Sequence, residues 1–142
     1  LRTALRGIRR AYYVPPFLPH ATQAAAAFAA AARDARLEGI VQLSQWLSHP
    51  THRSVLTRET WLVDRMLASL PGVAHVIVNP GMFADNFLRV ADFASLLHVY
   101  PVLTGDSASA PVSNEDVAKA VAALLLDRLE HDGRRYRPTG PA

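Results

Sequence analysis

What most constrains the fold of this chain is the order in which two kinds of segment follow one another. Short runs rich in β-branched and aromatic residues, Ala11–Val14, Ile40–Leu43 and His75–Val78, alternate with longer helix-patterned stretches. The first such stretch, Thr22–Leu37, is rich in alanine, the best helix former, and Gly39 stands where a C-terminal cap belongs. The second places Leu56, Val63, Met66, Leu67 and Leu70 on one face at 3.6-residue spacing and stops at Pro71-Gly72. Helical connections of this length are crossovers, and right-handed crossovers lay successive strands parallel with helices on both faces of the sheet. The first and third runs are largely apolar without alternation, a pattern that predicts burial on both faces. The expected class is therefore α/β, a doubly wound parallel sheet.

The second half of the chain is less regular. The spacing of Phe87, Val90, Ala91, Ala94 and Leu97 predicts a helix over 84–97, and Pro101–Val112 reads as loop. Ser113-Asn-Glu-Asp116 opens a further helix as a capping-box-like start, with Val117, Val121, Leu124 and Leu125 on one stripe and an end near Gly133. Arg134–Arg137 is a short strand candidate.

Composition removes several functions. Cysteine is absent, which excludes a disulfide scaffold, a thiolate nucleophile and any Cys-ligated metal centre. No apolar run reaches the roughly 18 residues of a membrane-spanning helix, and no signal peptide is visible, so a cytoplasmic protein without a membrane partner is expected. The net charge of +3 comes from 15 basic residues, all arginine except Lys119, with acids interspersed. That distribution reads as compositional bias, and nucleic acid is not expected as a partner. The length of 142 residues suits one domain, and a first residue Leu1 in place of methionine hints at lost upstream sequence.

The seven glycines are too dispersed for a G-x-G-x-x-G turn or a Walker loop, and neither a G-x-S-x-G elbow nor a Tyr-x-x-x-Lys pair occurs. His49 and His52 form an H-x-x-H, but they flank Pro50 in a loop without an evident third ligand, so no metal site is assigned. The informative positions are the carboxyl ends of the strands, where open α/β sheets bind ligands. Three are readable: Val14-Pro15-Pro16-Phe17, Ser44-Gln45-Trp46 and Asn79-Pro80-Gly81-Met82-Phe83. Their small, rigid and aromatic residues suit a flat ring, although plain loop punctuation explains any one of them alone.

Five segments in order carry a resemblance: Tyr12–Pro16, Ala32–Ser44, Val76–Asn86, Glu115–Ala123 and Gly133–Pro141. Their succession resembles the NmrA-like, NAD(P)H-binding branch of the atypical short-chain dehydrogenase/reductases, from Leu5 onward. The resemblance implies the C-terminal half of a Rossmann-like sheet, with the three runs as strands 4, 5 and 6. Strands 1 to 3, the glycine-rich turn and the residue that chooses NAD or NADP would lie before Leu1. Residues 1–142 are thus expected to form one partial dinucleotide-binding domain. The implied cofactor contacts are Val14, Pro15 and Pro16 after strand 4, Ser44 after strand 5, and Pro80, Gly81 and Phe83 after strand 6. Asn86 and Arg58 complete the set. Arg58 is the nearest residue to a lysine common in the family, and Asn79 stands where an arginine is common. An arginine holds its proton too tightly to serve as a general base, and no residue is assigned a catalytic role.

Three functions follow from this reading. The parent protein is an NAD(P)-dependent oxidoreductase or epimerase-like enzyme acting on a small molecule; or it is a non-catalytic NAD(P) sensor; or this chain is an inactive fragment without cofactor binding. In the last case the open edge of strand 4 invites self-association.

Overall fold

The computed structural model describes residues 1–16, 20–99, 109–127 and 130–141; Phe17 and most of the Pro101–Val112 loop lie outside them. Four strands, β1 (Arg10–Tyr13), β2 (Gly39–Leu43), β3 (Ala74–Val78) and β4 (Arg135–Tyr136), form one sheet in the order β1-β2-β3-β4. Every pairing is parallel, with Ala11 opposite Ile40, Val41 opposite Val76, and Val78 opposite Tyr136. The crossovers are α1 (Ala21–Asp34) and α2 (Val55–Ala68), and α4 (Asn114–Leu126) precedes β4.

Strand side chains alternate between two cores. On one face Tyr13 and Ile40 pack with Ala25, Phe28 and Ala32 of α1 and with Val63 and Leu67 of α2. The Tyr13 ring stacks on Phe28 at 4.4 Å between centroids. On the other face Val41, Val76 and Val78 pack against Val117, Val121 and Leu124 of α4. Each of these fully buried aliphatic side chains contributes roughly 1.5–3 kcal/mol relative to exposure. The doubly wound parallel sheet expected from the sequence is therefore present.

Several details differ from the sequence reading. β2 and β3 are buried on both faces, but β1 is an edge strand whose Tyr12 is 40% exposed. Gly39 does not cap α1; it opens β2. The helix closes instead on Arg36, at φ 56°, in a Schellman arrangement in which Leu37 N–H bonds Ala32 C=O and Arg36 N–H bonds Arg33 C=O. The buried residues of α2 are Thr57, Thr60, Val63, Asp64 and Leu67, three of them polar; of the expected stripe, Met66 and Leu70 pack half-buried against the same core and Leu56 is half-buried. The single helix expected over 84–97 is a 3₁₀ segment, Ala84–Val90, followed by a short α3, Ala91–Leu97. No residue of the 3₁₀ segment is fully buried; Phe87 and Val90 of the expected stripe are half-buried. The last helix ends at Leu126, seven residues before Gly133.

Candidate functional site

The carboxyl ends of β1, β2 and β3 open into one cavity of about 690 Å³. Val14, Pro15 and Pro16 form one wall, Ser44, Gln45 and Trp46 a second, and Pro80, Gly81, Met82 and Phe83 a third. Leu56, Thr57 and Thr60 of α2 close the remaining side. Seven of the nine residues expected at the site thus converge. Arg58 and Asn86 do not line the cavity. The Arg58 guanidinium turns back and donates to the carbonyls of His52 (2.7 Å) and Arg53 (3.1 Å), which fixes the turn before α2. Asn86 sits exposed in the 3₁₀ segment, with its N–H on Phe83 C=O.

The third wall is held from two directions. Asn79 N–H bonds Tyr136 C=O and Gly81 N–H bonds Pro138 C=O, continuing the β3–β4 pairing beyond β4 itself. On the opposite side Val112 N–H bonds Met82 C=O, and Ala84 N–H bonds Val112 C=O. Pro80, Gly81 and Phe83 are therefore presented by a backbone clamped on both edges. A Cβ at Gly81 would meet only ordinary contacts, the nearest being Thr139 Cγ2 at 3.6 Å, so the fold itself does not demand glycine there.

Behind the cavity lies a polar network that the sequence reading missed. Asp64 is 1% exposed. Its Oδ1 accepts from Gln42 Nε2 (2.8 Å). Its Oδ2 accepts from the hydroxyls of Ser44 (3.0 Å) and Ser48 (2.7 Å), and from Arg135 Nη2 at 3.1 Å. Arg135 Nη1 also donates to Asn79 Oδ1 (3.0 Å), and Asn79 Nδ2 donates to Gln45 C=O (2.6 Å). A buried carboxylate is tolerated only when paired and hydrogen-bonded, and Asp64 meets both conditions. The network ties the loop after β2 to α2, to the end of β3 and to β4, and so sets the spacing of two cavity walls. Asn79, where an arginine is common in the resembled family, is met by a guanidinium supplied from β4.

Gln42 extends the network one step. With its amide nitrogen committed to Asp64, its Oε1 faces His75 Nε2 at 2.8 Å, so that nitrogen carries the proton. Burial lowers the His75 pKa to about 4; the Asp132 carboxylate opposes the shift, and Arg135 and Arg65 add to it. His75 is neutral at physiological pH. Three hydroxyls that line the cavity are engaged. The Ser44 hydroxyl donates to Asp64, Thr57 to Gln45 Oε1 (2.6 Å) and Thr60 to Leu56 C=O (3.0 Å). Among the described lining residues there is no tyrosine, lysine, histidine or carboxylate. No group of three His, Asp or Glu residues placed to hold a metal occurs among the described residues.

No family model matches the chain. It is 28% identical over 142 residues to an NAD(P)H azoreductase from Xenophilus azovorans. It is 33% identical over 144 aligned residues to a (4-alkanoyl-5-oxo-2,5-dihydrofuran-3-yl)methyl phosphate reductase from Streptomyces griseus. Each alignment takes in 99% of this chain and 49% of the relative, so the chain spans about half the length of the curated relatives it matches. Among solved structures it superimposes on an NADPH-dependent quinone oxidoreductase from Escherichia coli with a TM-score of 0.82 at 23% identity, over 98% of this chain and 48% of that one. A triphenylmethane reductase from Citrobacter sp. gives 0.77 at 16% identity, over 99% and 50%. At these identities the likeness establishes the fold: a Rossmann-like α/β sheet corresponding to about half of each reductase.

Proposed function

We propose that this chain forms the nicotinamide-side half of the cofactor site of an NAD(P)-binding, oxidoreductase-like protein of the NmrA-like type. The observation that carries the reading is the convergence of Val14, Pro15, Pro16, Ser44, Pro80, Gly81 and Phe83 on one cavity at the carboxyl ends of three parallel strands. Open α/β sheets bind dinucleotides at these ends. Both curated relatives are named as reductases, one of them NAD(P)H-dependent.

The residues present fit a nicotinamide ring. Proline rings and the aromatic faces of Trp46 and Phe83 give flat, rigid walls. Bound nicotinamide supplies hydride chemistry, which belongs to the cofactor. The chain's own contribution is to bind and orient the ring, to exclude water with its apolar walls, and to keep those walls in register through Asp64.

The lack of a tyrosine, lysine, histidine or carboxylate among the described lining residues favours a second reading, a non-catalytic NAD(P) sensor. It shares the same pocket and needs no acid. The cofactor preference is NADP or NAD, and the pyrophosphate grip belongs to a part of the site that these residues do not build.

NADPH titrated into the chain tests the half-site. Binding weaker than about 1 mM is expected, with amide shifts confined to Val14, Ser44, Gly81 and Phe83. Shifts that map elsewhere would reject the site, and micromolar affinity would reject its being only half of one. Turnover of a carbonyl substrate by the full-length protein separates the enzyme from the sensor.

A further inference from the structure

A second cavity of about 490 Å³ adjoins the first, lined by Ser48, His49, Thr51, His52, Arg53 and Arg137 together with Leu47. The two share a boundary. Trp46 walls the apolar cavity, and the Arg137 guanidinium lies over its ring at 5.5 Å from the centroid. Ser54, on the apolar side, gives its N–H to His52 Nδ1 (3.1 Å). Asp64 grips Ser44 of one cavity and Ser48 of the other.

The hydrogen bonding inside the second cavity is one-sided. His52 Nδ1 faces Ser54 N–H (3.1 Å), and His49 Nδ1 faces both the Thr51 hydroxyl (2.9 Å) and the Thr51 N–H (3.3 Å), so each ring is anchored through Nδ1. Arg53 and Arg137 add two permanent cations, and no carboxylate is among the described lining residues. Two guanidinium groups beside two imidazoles, without a competing carboxylate in that lining, are the chemistry of anion recognition.

We infer that this second cavity is a binding subsite for an anionic substituent, a sulfonate, carboxylate or phosphate, carried on an aromatic or otherwise flat ligand whose apolar body occupies the first cavity. The inference rests on the proposed cofactor pocket and names the substrate class whose flat body shares that cavity with the nicotinamide ring, as hydride transfer between them requires. Trp46 is the hinge between the two parts: one face meets the ligand body, and the other carries the arginine that meets its charge.

Naphthalene-2-sulfonate and the uncharged naphthalene-2-sulfonamide test it by NMR titration of the chain at low salt. The sulfonate is expected to bind at least about fivefold more tightly and to shift the His49 and His52 ring protons, with the preference shrinking as salt rises. In the Arg53→Gln/Arg137→Gln double variant the preference is expected to fall below about twofold while the sulfonamide affinity holds. Equal affinity for the two rings in the unaltered chain, with both seated at Trp46, would overturn the anionic subsite and leave the apolar pocket standing. Failure of both rings to bind would overturn the pocket and the subsite together.

Discussion

The single residues that organise this site are those a sequence reading weighs least. Asp64 lies in a helix whose apolar spacing draws attention to Leu56, Met66 and Leu70, and an acid on a helix is ordinarily a solvated surface group. Only the approach of β2, β3 and β4 to one point makes it a hub for Gln42, Ser44, Ser48 and Arg135. The cavity residues were legible for the opposite reason. Pro15, Pro16, Pro80 and Gly81 follow directly on strands, so their place at the sheet's carboxyl end needs no long-range knowledge. His75 gives the residue-scale prediction. Its folded pKa of about 4 lies below the ordinary value of 6.5, so between these values the unfolded chain binds more protons than the folded one. Stability is full above about pH 6.5 and falls as the pH drops toward 4, by up to about 3 kcal/mol from this group. Urea unfolding at pH 7 and pH 4.5 checks it: His75→Gln, which keeps a donor for Gln42 Oε1, is expected to flatten that part of the slope. An unchanged slope would show that carboxylates alone set it.

At the scale of elements, propensity and punctuation located every major strand and helix but misjudged where two of them end. Gly39 is the residue a cap rule selects, yet α1 closes on Arg36 because Leu37, two residues past the Ala35 cap, is the apolar residue that the core takes in. The Schellman geometry needs a left-handed residue just before that leucine, and arginine fills the position at a cost of roughly 1 kcal/mol. Arg36→Gly is therefore expected to stabilise the chain by about 0.5–1 kcal/mol, the backbone gain being partly offset by a freer unfolded state. A urea midpoint that stays put or falls would mean that the arginine side chain repays the strain. The 84–97 segment failed differently. Its apolar stripe is real as a pattern, but a stripe makes a helix only where something covers it, and the described residues fully bury none of its first half. The Ser113 cap was legible because capping is local: Asp116 N–H bonds Ser113 Oγ at 3.0 Å, donor and acceptor being three positions apart in sequence.

The whole molecule is an asymmetric sheet, and its asymmetry has a consequence in solution. β2 and β3 are paired on both sides, whereas among the described residues β1 pairs with β2 alone and offers its other edge. Natural edge strands are blunted by lysine, proline or bulges. The only charge within β1 is Arg10, whose guanidinium is turned onto the Leu125 and Leu126 carbonyls, and Tyr12 and Val14 are 40% and 51% exposed. Beside that edge Tyr12, Leu43, Val117, Val121 and Leu125 line an apolar groove of about 540 Å³, so backbone pairing and apolar burial favour the same approach. The 142-residue chain is accordingly expected to self-associate at about 100 µM in sedimentation experiments. Tyr12→Lys, which places a charge on the edge without touching either core, is expected to return it to monomer with its unfolding midpoint unchanged. A wild-type chain that sediments as a monomer at that concentration would show the edge to be protected. Association that persists in the lysine variant would move the contact to another face, with the exposed Leu88 and Leu96 of the 84–97 segment as the next surface to substitute.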